Sequence, residues 1–336
     1  MPQSTATKPI KTEMNNQEKI AIRIREITGW KYAPQVEIVT DTTEWDRIIR
    51  GNVIRLNNHD FVVAGNEYEK RFGISDQPKY WVFDVYDLET GEQKIIKTVF
   101  HEEFNVHIGI FKIHCFRSPE KEGEVLDLVR DDLRFMQGKT TLDDKNNAIR
   151  IIDFIKGDSF FNYVVGIKKD HQKYFEQDLP GILWKLIDCI EAIQFLHHNN
   201  TCHGDIRNDH ILIDAETGKY RWIDFDLNQH VSDFDIWSIG NIINYAVGKG
   251  ITGFKNVMRD RGVSDEIKNS LVSSDAAAFY EYRIMNLRKL FPYIPPRLND
   301  MLLHFTIRPK AYYETMDQLL EDYYLMLKEE FPNGRP

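Results

Sequence analysis

The alternation of apolar and polar positions divides the chain into a strand-rich first part and a helix-rich second part. Residues 1–18 are polar and read as a frayed tail. Val36–Val39 is β-prone, and Asp41-Thr42-Thr43-Glu44 has the acidic first turn of a short helix. Val53-Ile54-Arg55-Leu56 and Phe61-Val62-Val63, parted by Asn57-Asn58-His59-Asp60, predict a hairpin. A second hairpin is predicted from Tyr80–Tyr86 and Lys94–Phe100, turning at Glu89-Thr90-Gly91-Glu92, because both arms are dense in aromatic and β-branched residues. Ser118-Pro119-Glu120 offers an N-cap, a proline for the first turn and an acid for the positive helix end, so a helix is expected to about Phe135. Ala148–Phe154 reads as a further strand.

From about residue 175 the apolar positions fall at helical spacing. Ile182, Leu183, Leu186, Ile187, Ile190, Ile193 and Leu196 give one helix a buried face. Ile236–Val247 is apolar nearly all round, as a fully buried helix is, and Met316–Leu327 is amphipathic. Strands followed by helices predict an α+β protein with segregated lobes, and ligands often sit between such lobes.

Composition narrows the class. The 336 residues suit two domains or two lobes, and 42 % hydrophobic with 28 % charged residues is ordinary for a globular chain. With 43 Lys+Arg against 52 Asp+Glu, the net charge of −9 argues against a general binder of nucleic acid or anionic membrane. Cys115, Cys189 and Cys202 have no CxxC spacing and form neither a disulfide framework nor a zinc site. The first twenty residues lack the apolar core of a signal peptide and no apolar run is long enough to span a membrane, so the expected compartment is the cytoplasm.

The chemistry concentrates in His203-Gly204-Asp205-Ile206-Arg207-Asn208-Asp209-His210. A short apolar strand, Ile211-Leu212-Ile213, follows this polar loop. A turn at Glu216-Thr217-Gly218-Lys219 leads to a second strand, Tyr220-Arg221-Trp222-Ile223, and into Asp224-Phe225-Asp226. A tight hairpin brings its two flanks together, so Asp205, His210 and Asp224 can converge at one end. Carboxylates gathered there can position a hydroxyl group and hold a divalent cation.

This stretch resembles the catalytic and metal-binding loops of protein kinases and the wider protein kinase-like phosphotransferases, whose pattern is H-R-D-L-x-x-x-N followed by D-F-G. Here it is H-G-D-I-R-N-D-H, with D-F-D beginning nineteen residues after the first Asp. Lys94-Ile95-Ile96-Lys97 is similar to the V-A-I-K strand, Ile152–Phe160 to the hinge, Asp235–Gly240 to the start of the central buried helix, and Pro296–Leu320 to the last helices. The resemblance covers roughly residues 50–328. It implies a two-lobed protein kinase-like fold: a tail at 1–18, an N-terminal extension at 19–50, a strand-rich lobe at 51–155 and a helical lobe at 156–330.

The implied activity is ATP-dependent transfer of a phosphoryl group to a hydroxyl, as in a protein serine/threonine kinase. The alternatives are a small-molecule or lipopolysaccharide-sugar kinase and a nucleotide-binding pseudokinase acting as an interaction module. The implied partners are ATP with Mg²⁺ or Mn²⁺ and an acceptor hydroxyl on a protein or small molecule; no nucleic acid and no membrane span are expected. By the same resemblance Lys97 pairs with the nucleotide phosphates, held by Glu122 or its rival Glu124. Backbone groups of Asp153 and Ile155 hold adenine, Asp205 orients the acceptor hydroxyl, Arg207 lies near the transferred phosphate, and Asp224 and His210 hold metal. Asp235 is expected to brace the catalytic loop.

Departures from the family pattern carry information too. His210 stands where the family has Asn, and imidazole suits Mn²⁺ better than Mg²⁺. Gly204 replaces the Arg that binds an activation-loop phosphate in kinases regulated that way. Asp226 replaces the glycine of D-F-G and reads as an extra metal ligand or a solvated carboxylate. No glycine-rich phosphate loop precedes Lys97, and only eleven residues separate Asp224 from Asp235, too few for a peptide-docking activation segment. His197 and His198 read as a cationic end to their helix, and Cys202 as core packing.

Overall fold

Asn15 and Glu18 open the first helix with a reciprocal cap: the Asn15 side chain accepts from the Glu18 amide at 2.8 Å, and the Glu18 carboxylate accepts from the Asn15 amide at 2.9 Å. In the computed structural model, residues 15–31, 36–69, 77–108, 111–229 and 234–334 are described. The helix over residues 16–28 therefore takes in the end of the stretch expected to be tail, while residues 1–14 lie outside the described residues. The chain forms two units, Met1–Val99 with Thr140–Phe154, and Phe100–Lys139 with Ile155–Pro336. Elements are numbered in chain order.

The first unit contains α1 (Asn16–Thr28), β1 (Ile38–Val39), β2 (Val53–Leu56), β3 (His59–Glu69), β4 (Gln77–Asp87) and β5 (Gln93–Lys97), with β9 (Ala148–Asp153) and, from Thr140 on, β8 (Gly138–Leu142) added later in the chain. Their sheet runs β1-β2-β3-β4-β5-β9-β8. Both expected hairpins form; Asn57 and Asn58 sit at φ 50° and 64°, the left-handed pair that a two-residue hairpin turn demands and Asn tolerates. Alternation then sorts the faces. Ile54, Phe61, Val63, Phe83, Val85 and Ile96 build one core, while Val53 and Val62 turn the other way onto Ile20 and Ile24 of α1. Ile24 is fully buried, and removing its side chain costs about 2–5 kcal/mol.

The helix expected from Asp41 does not propagate. The Asp41 carboxylate accepts from the Thr43 amide at 3.0 Å, and Thr42 is drawn through its amide and hydroxyl to Asp143, both at 2.8 Å. Side chains that take up backbone donors in this way favour a turn over a helix, and only a short 3₁₀ turn at Trp45–Arg47 remains.

The second unit begins with a hairpin absent from the sequence reading, β6 (Glu103–Ile108) and β7 (Phe111–Arg117). There follow α2 (Pro119–Leu128), β10 (Gly157–Ser159), α3 (Phe160–Gly166), α4 (His171–Gln177), α5 (Leu179–His198), β11 (Ile211–Asp214), β12 (Tyr220–Trp222), β13 (Leu227–Gln229), α6 (Phe234–Val247), α7 (Phe254–Arg259), α8 (Asp265–Ser270), α9 (Pro296–Leu303) and α10 (Met316–Glu330). The small sheets are β10-β11-β12 and β13-β7-β6. Residues 100–139, expected in the strand-rich lobe, group with this helical unit, and the pairing of β7 with β13 is the tie.

Helix α2 starts as expected, with Ser118 accepting from the Lys121 amide at 3.1 Å, but stops at Leu128 instead of near Phe135. Gln137 explains the early stop. Its side chain donates to the carbonyls of Val129, Asp132 and Phe135 and accepts from the amide of Asp131, which sits at φ 66°. Those groups are thereby committed to a turn. Helix α6 is buried on nearly every face, as its apolar run predicts. Gly240 lets it approach α9's flank: a Cβ there would lie 2.3 Å from the Phe305 ring.

Candidate active site

Helix α5 delivers the chain through Asn200, at φ 56°, into the polar loop. Asp235, in the first turn of α6 and 1 % exposed, holds that loop from beneath. Its carboxylate accepts from the His203 amide at 2.8 Å, the Gly204 amide at 2.9 Å and His197 Nε2 at 3.1 Å. Burial alone would raise its pKa, but the hydrogen bonds from His197 and the loop amide outweigh that and hold it below the usual carboxylate range. His197 thus braces Asp235, and His198 reaches Asp317 at 3.1 Å; both do more than offer charge to a helix end. His203 is fully buried, and burial pushes its pKa down to about 3, so it is neutral. Its Nδ1 accepts from the Asp205 amide at 3.3 Å, while its ring meets Trp222 and Phe225 edge-on, with centroids 4.9 and 5.4 Å away.

The hairpin β11–β12 pairs Ile211 with Trp222 and Ile213 with Tyr220, which brings His210 and Asp224 to the same end. His210 is 4 % exposed. Its Nδ1 lies 2.8 Å from the Asp205 carbonyl oxygen, which can only accept, so Nδ1 donates there and Nε2 is left to face Asp224. Nε2 lies 3.5 Å from Asp224 Oδ2, and Nδ1 lies 3.7 Å from Asp205 Oδ2. The imidazole therefore stands between the two carboxylates. Asp224 is at φ 64°, a left-handed conformation uncommon outside glycine and enriched at functional sites. The donor set suits a divalent ion: an imidazole nitrogen fixed by a carbonyl on its far side, beside a carboxylate. No group of three or more His, Cys, Asp or Glu is placed to hold a metal among the described residues. Two protein ligands, with phosphate oxygens and water completing the shell, is how Mg²⁺-type ions bind nucleotides.

Arg207 forks onto Asp209, Nε to Oδ1 at 3.0 Å and Nη2 to Oδ2 at 2.5 Å. Burial would raise the pKa of Asp209, but His210 and Arg207 hold it low.

Asp226 proves to be neither solvated nor placed as a metal ligand. It is 6 % exposed and its Oδ1 accepts from Arg117 Nη1 at 2.6 Å. Arg117, on β7 and equally buried, also donates from Nε to Glu102 at 3.0 Å. Burial works against its charge, but Asp226, Asp205, Asp224 and Glu102 raise its pKa well beyond the ordinary. Lys121 of α2 donates from Nζ to the carbonyls of His203, at 3.0 Å, and Leu227. Gly204, at φ 85°, is where the loop touches β13: a Cβ there would lie 2.1 Å from the Leu227 carbonyl oxygen and 3.1 Å from Lys121 Nζ. The residue that replaces the family's Arg is thus required by a close backbone approach. The sequence reading passed over Arg117 and Lys121, although Phe104, Val106 and Ile108 and then Ile113 and Cys115 alternate as a hairpin should.

The residues expected on the nucleotide side are distributed over both units. Lys97 ends β5, opposite Val82 and Arg150, and is 4 % exposed. Asp153 ends β9, its carboxylate accepting from Lys94 at 2.9 Å. Ile155 is half-buried, Glu122 is fully buried in α2 and Glu124 is exposed.

Known proteins give a partial match. The chain is 21 % identical over 183 residues to calcium-dependent protein kinase 22 of Arabidopsis thaliana, covering 46 % of this chain and 35 % of that protein. It is 31 % identical over 116 residues to the serine/threonine-protein kinase GRIK1 of the same plant, covering 31 % of this chain and 28 % of the kinase. It is 23 % identical over 146 residues to a probable serine/threonine-protein kinase, a KIN1 homolog of Encephalitozoon cuniculi, covering 42 % and 24 %. The chain thus spans about a third or less of the length of these relatives. No family model matches it. These likenesses support a kinase-like relationship, and the mixed α/β architecture is compatible with it. Among the described residues no helix is long and apolar enough to cross a membrane.

Proposed function

We propose that the chain is an ATP-dependent phosphotransferase of the protein kinase type, transferring a phosphoryl group to a hydroxyl, with the serine/threonine kinases as its model. The convergence of Asp205, His210 and Asp224 at one end of β11–β12 carries this reading. Asp205 orients the acceptor hydroxyl and takes its proton, while Asp224 and His210 Nε2 hold the metal. A bound Mg²⁺ or Mn²⁺ supplies charge neutralisation to the phosphates. By the resemblance Lys97 would contact the phosphates and the backbone at Asp153 would hold adenine. Arg207 contributes its charge near the transferred group.

A second reading concerns the acceptor. β13 begins directly after Asp226 and is paired with β7, and only four residues separate it from α6. A segment committed in this way favours a sugar or other small-molecule hydroxyl over a docked peptide. The test is transfer from labelled ATP, with Mg²⁺ or Mn²⁺, into separated protein and small-molecule fractions of a lysate. Asp205→Asn is expected to bind ATP and metal but transfer nothing, and Asp224→Ala to lose metal-dependent binding. Full turnover by Asp205→Asn would reject its role. A wild type that binds ATP but transfers phosphate to nothing, itself and water included, would establish the pseudokinase alternative.

A further inference from the structure

The D-F-D loop is fastened on two sides by residues that no part of the transfer chemistry requires. On one side the buried Arg117 bridges Asp226 at 2.6 Å and Glu102 at 3.0 Å. Around this bridge the backbone is joined as well: the Ser118 amide donates to the Asp226 carbonyl at 2.7 Å, and Leu227, Asn228 and Gln229 pair with Arg117, Phe116 and Cys115. On the other side Lys121 ties the catalytic loop to the same strand, through the carbonyls of His203 and Leu227. The two loops also touch directly, because Gly204 has no side chain to keep Leu227 away.

We propose that Arg117 is a positioning residue which, through Asp226 and the β7–β13 pairing, holds Asp224 where a metal-bound nucleotide needs it, and that Lys121 locks the catalytic loop to this clamp. The inference rests on the phosphotransferase reading for its link to metal, but the clamp itself does not. A side chain at Asp226 gives Arg117 an anchor two residues from Asp224, which a glycine could not provide. The pair is buried on both sides, so it is little screened by salt and holds one geometry. No added charge is needed to set the loops, so the clamp is permanent rather than switched.

Removing Arg117 alone would strand a buried carboxylate and its effect would not be separable from unfolding, whereas replacing both members of a buried pair with apolar residues commonly preserves stability. The experiment therefore compares wild type, Arg117→Lys and the double variant Arg117→Met/Asp226→Leu. It reads amide hydrogen exchange at 203–206 and 224–229, together with the affinity for ATP in the presence of Mn²⁺. A double variant that melts near the wild-type temperature is expected to exchange faster in both segments and to bind ATP with Mn²⁺ about 10–100-fold more weakly. Its binding of ATP without metal should be unchanged. Arg117→Lys, which keeps the charge but not the fork, should restore part of the protection. Wild-type exchange in both segments of a folded double variant would overturn the clamp. A wild type that fails to bind ATP with Mn²⁺ while the exchange contrast persists would overturn the phosphotransferase reading and leave the clamp standing.

Discussion

Restoring a side chain at Gly204, where the family pattern has one, is expected to damage this protein. In Gly204→Ala the new Cβ would lie 2.1 Å from the Leu227 carbonyl oxygen, at a backbone φ of 85°. The obstacle is backbone, so no rotamer change relieves it and β13 must move. Holding an alanine in the left-handed region costs about 1–2 kcal/mol. Moving Leu227 forfeits the bond from the Lys121 ammonium, worth about 1.5–3 kcal/mol. The sum, about 2.5–5 kcal/mol, reaches the severe end of single substitutions. At about 2–4 °C per kcal/mol for a unit of this size, calorimetry should show a fall in melting temperature of roughly 5–20 °C. Gly181→Ala in α5 is the control. It has a helical backbone and no atom within 4 Å of its new Cβ, so it should be neutral or stabilising by up to about 1 kcal/mol. Equal melting temperatures for the two variants would refute the close-approach argument.

Two further outcomes follow from groups buried under the loop. His203 has a folded pKa of about 3 against an ordinary 6.5, so between those values the unfolded chain binds a proton that the folded chain does not. Stability should therefore fall on acidification from pH 6 to 4.5 by up to about 1.4 kcal/mol per pH unit from this group. Burial lowers the pKa of His171 as well, with the same sign, so the readout is the flatter denaturant-midpoint profile of His203→Asn relative to wild type. Asp235→Ala removes the acceptor for two loop amides and His197; loss of a buried charged hub costs about 3–5 kcal/mol, and a chemical-denaturation midpoint within error of wild type would contradict the bracing role.

Much of this was legible where local chemistry and long-range pattern agree. The Asn57-Asn58 turn, the Ser118 cap and the all-apolar α6 each follow from a rule that acts within a few residues. The gathering of Asp205, His210 and Asp224 was legible because one tight hairpin joins them. What escaped depended on partners distant in sequence. Asp226 looked like an extra metal ligand or a solvated carboxylate because Arg117, 109 residues earlier, could not be foreseen beside it. Gly204 looked like a lost phosphate-binding residue until Leu227 was found against it. The Asn15–Glu18 capping box and the alternation along β6 and β7 were present in the sequence and were not used.

The central proposal is that His210 and Asp224 serve the divalent ion of a bound nucleotide. Isothermal titration of ATP into the wild-type protein, with Mg²⁺ or Mn²⁺ and again with chelator, tests it most directly. Binding should strengthen when metal is present, lose that gain in Asp224→Ala, and weaken in Lys97→Ala by about 1.5–3 kcal/mol, the worth of a charge-assisted contact. A wild type that takes up no ATP with either ion would contradict the account.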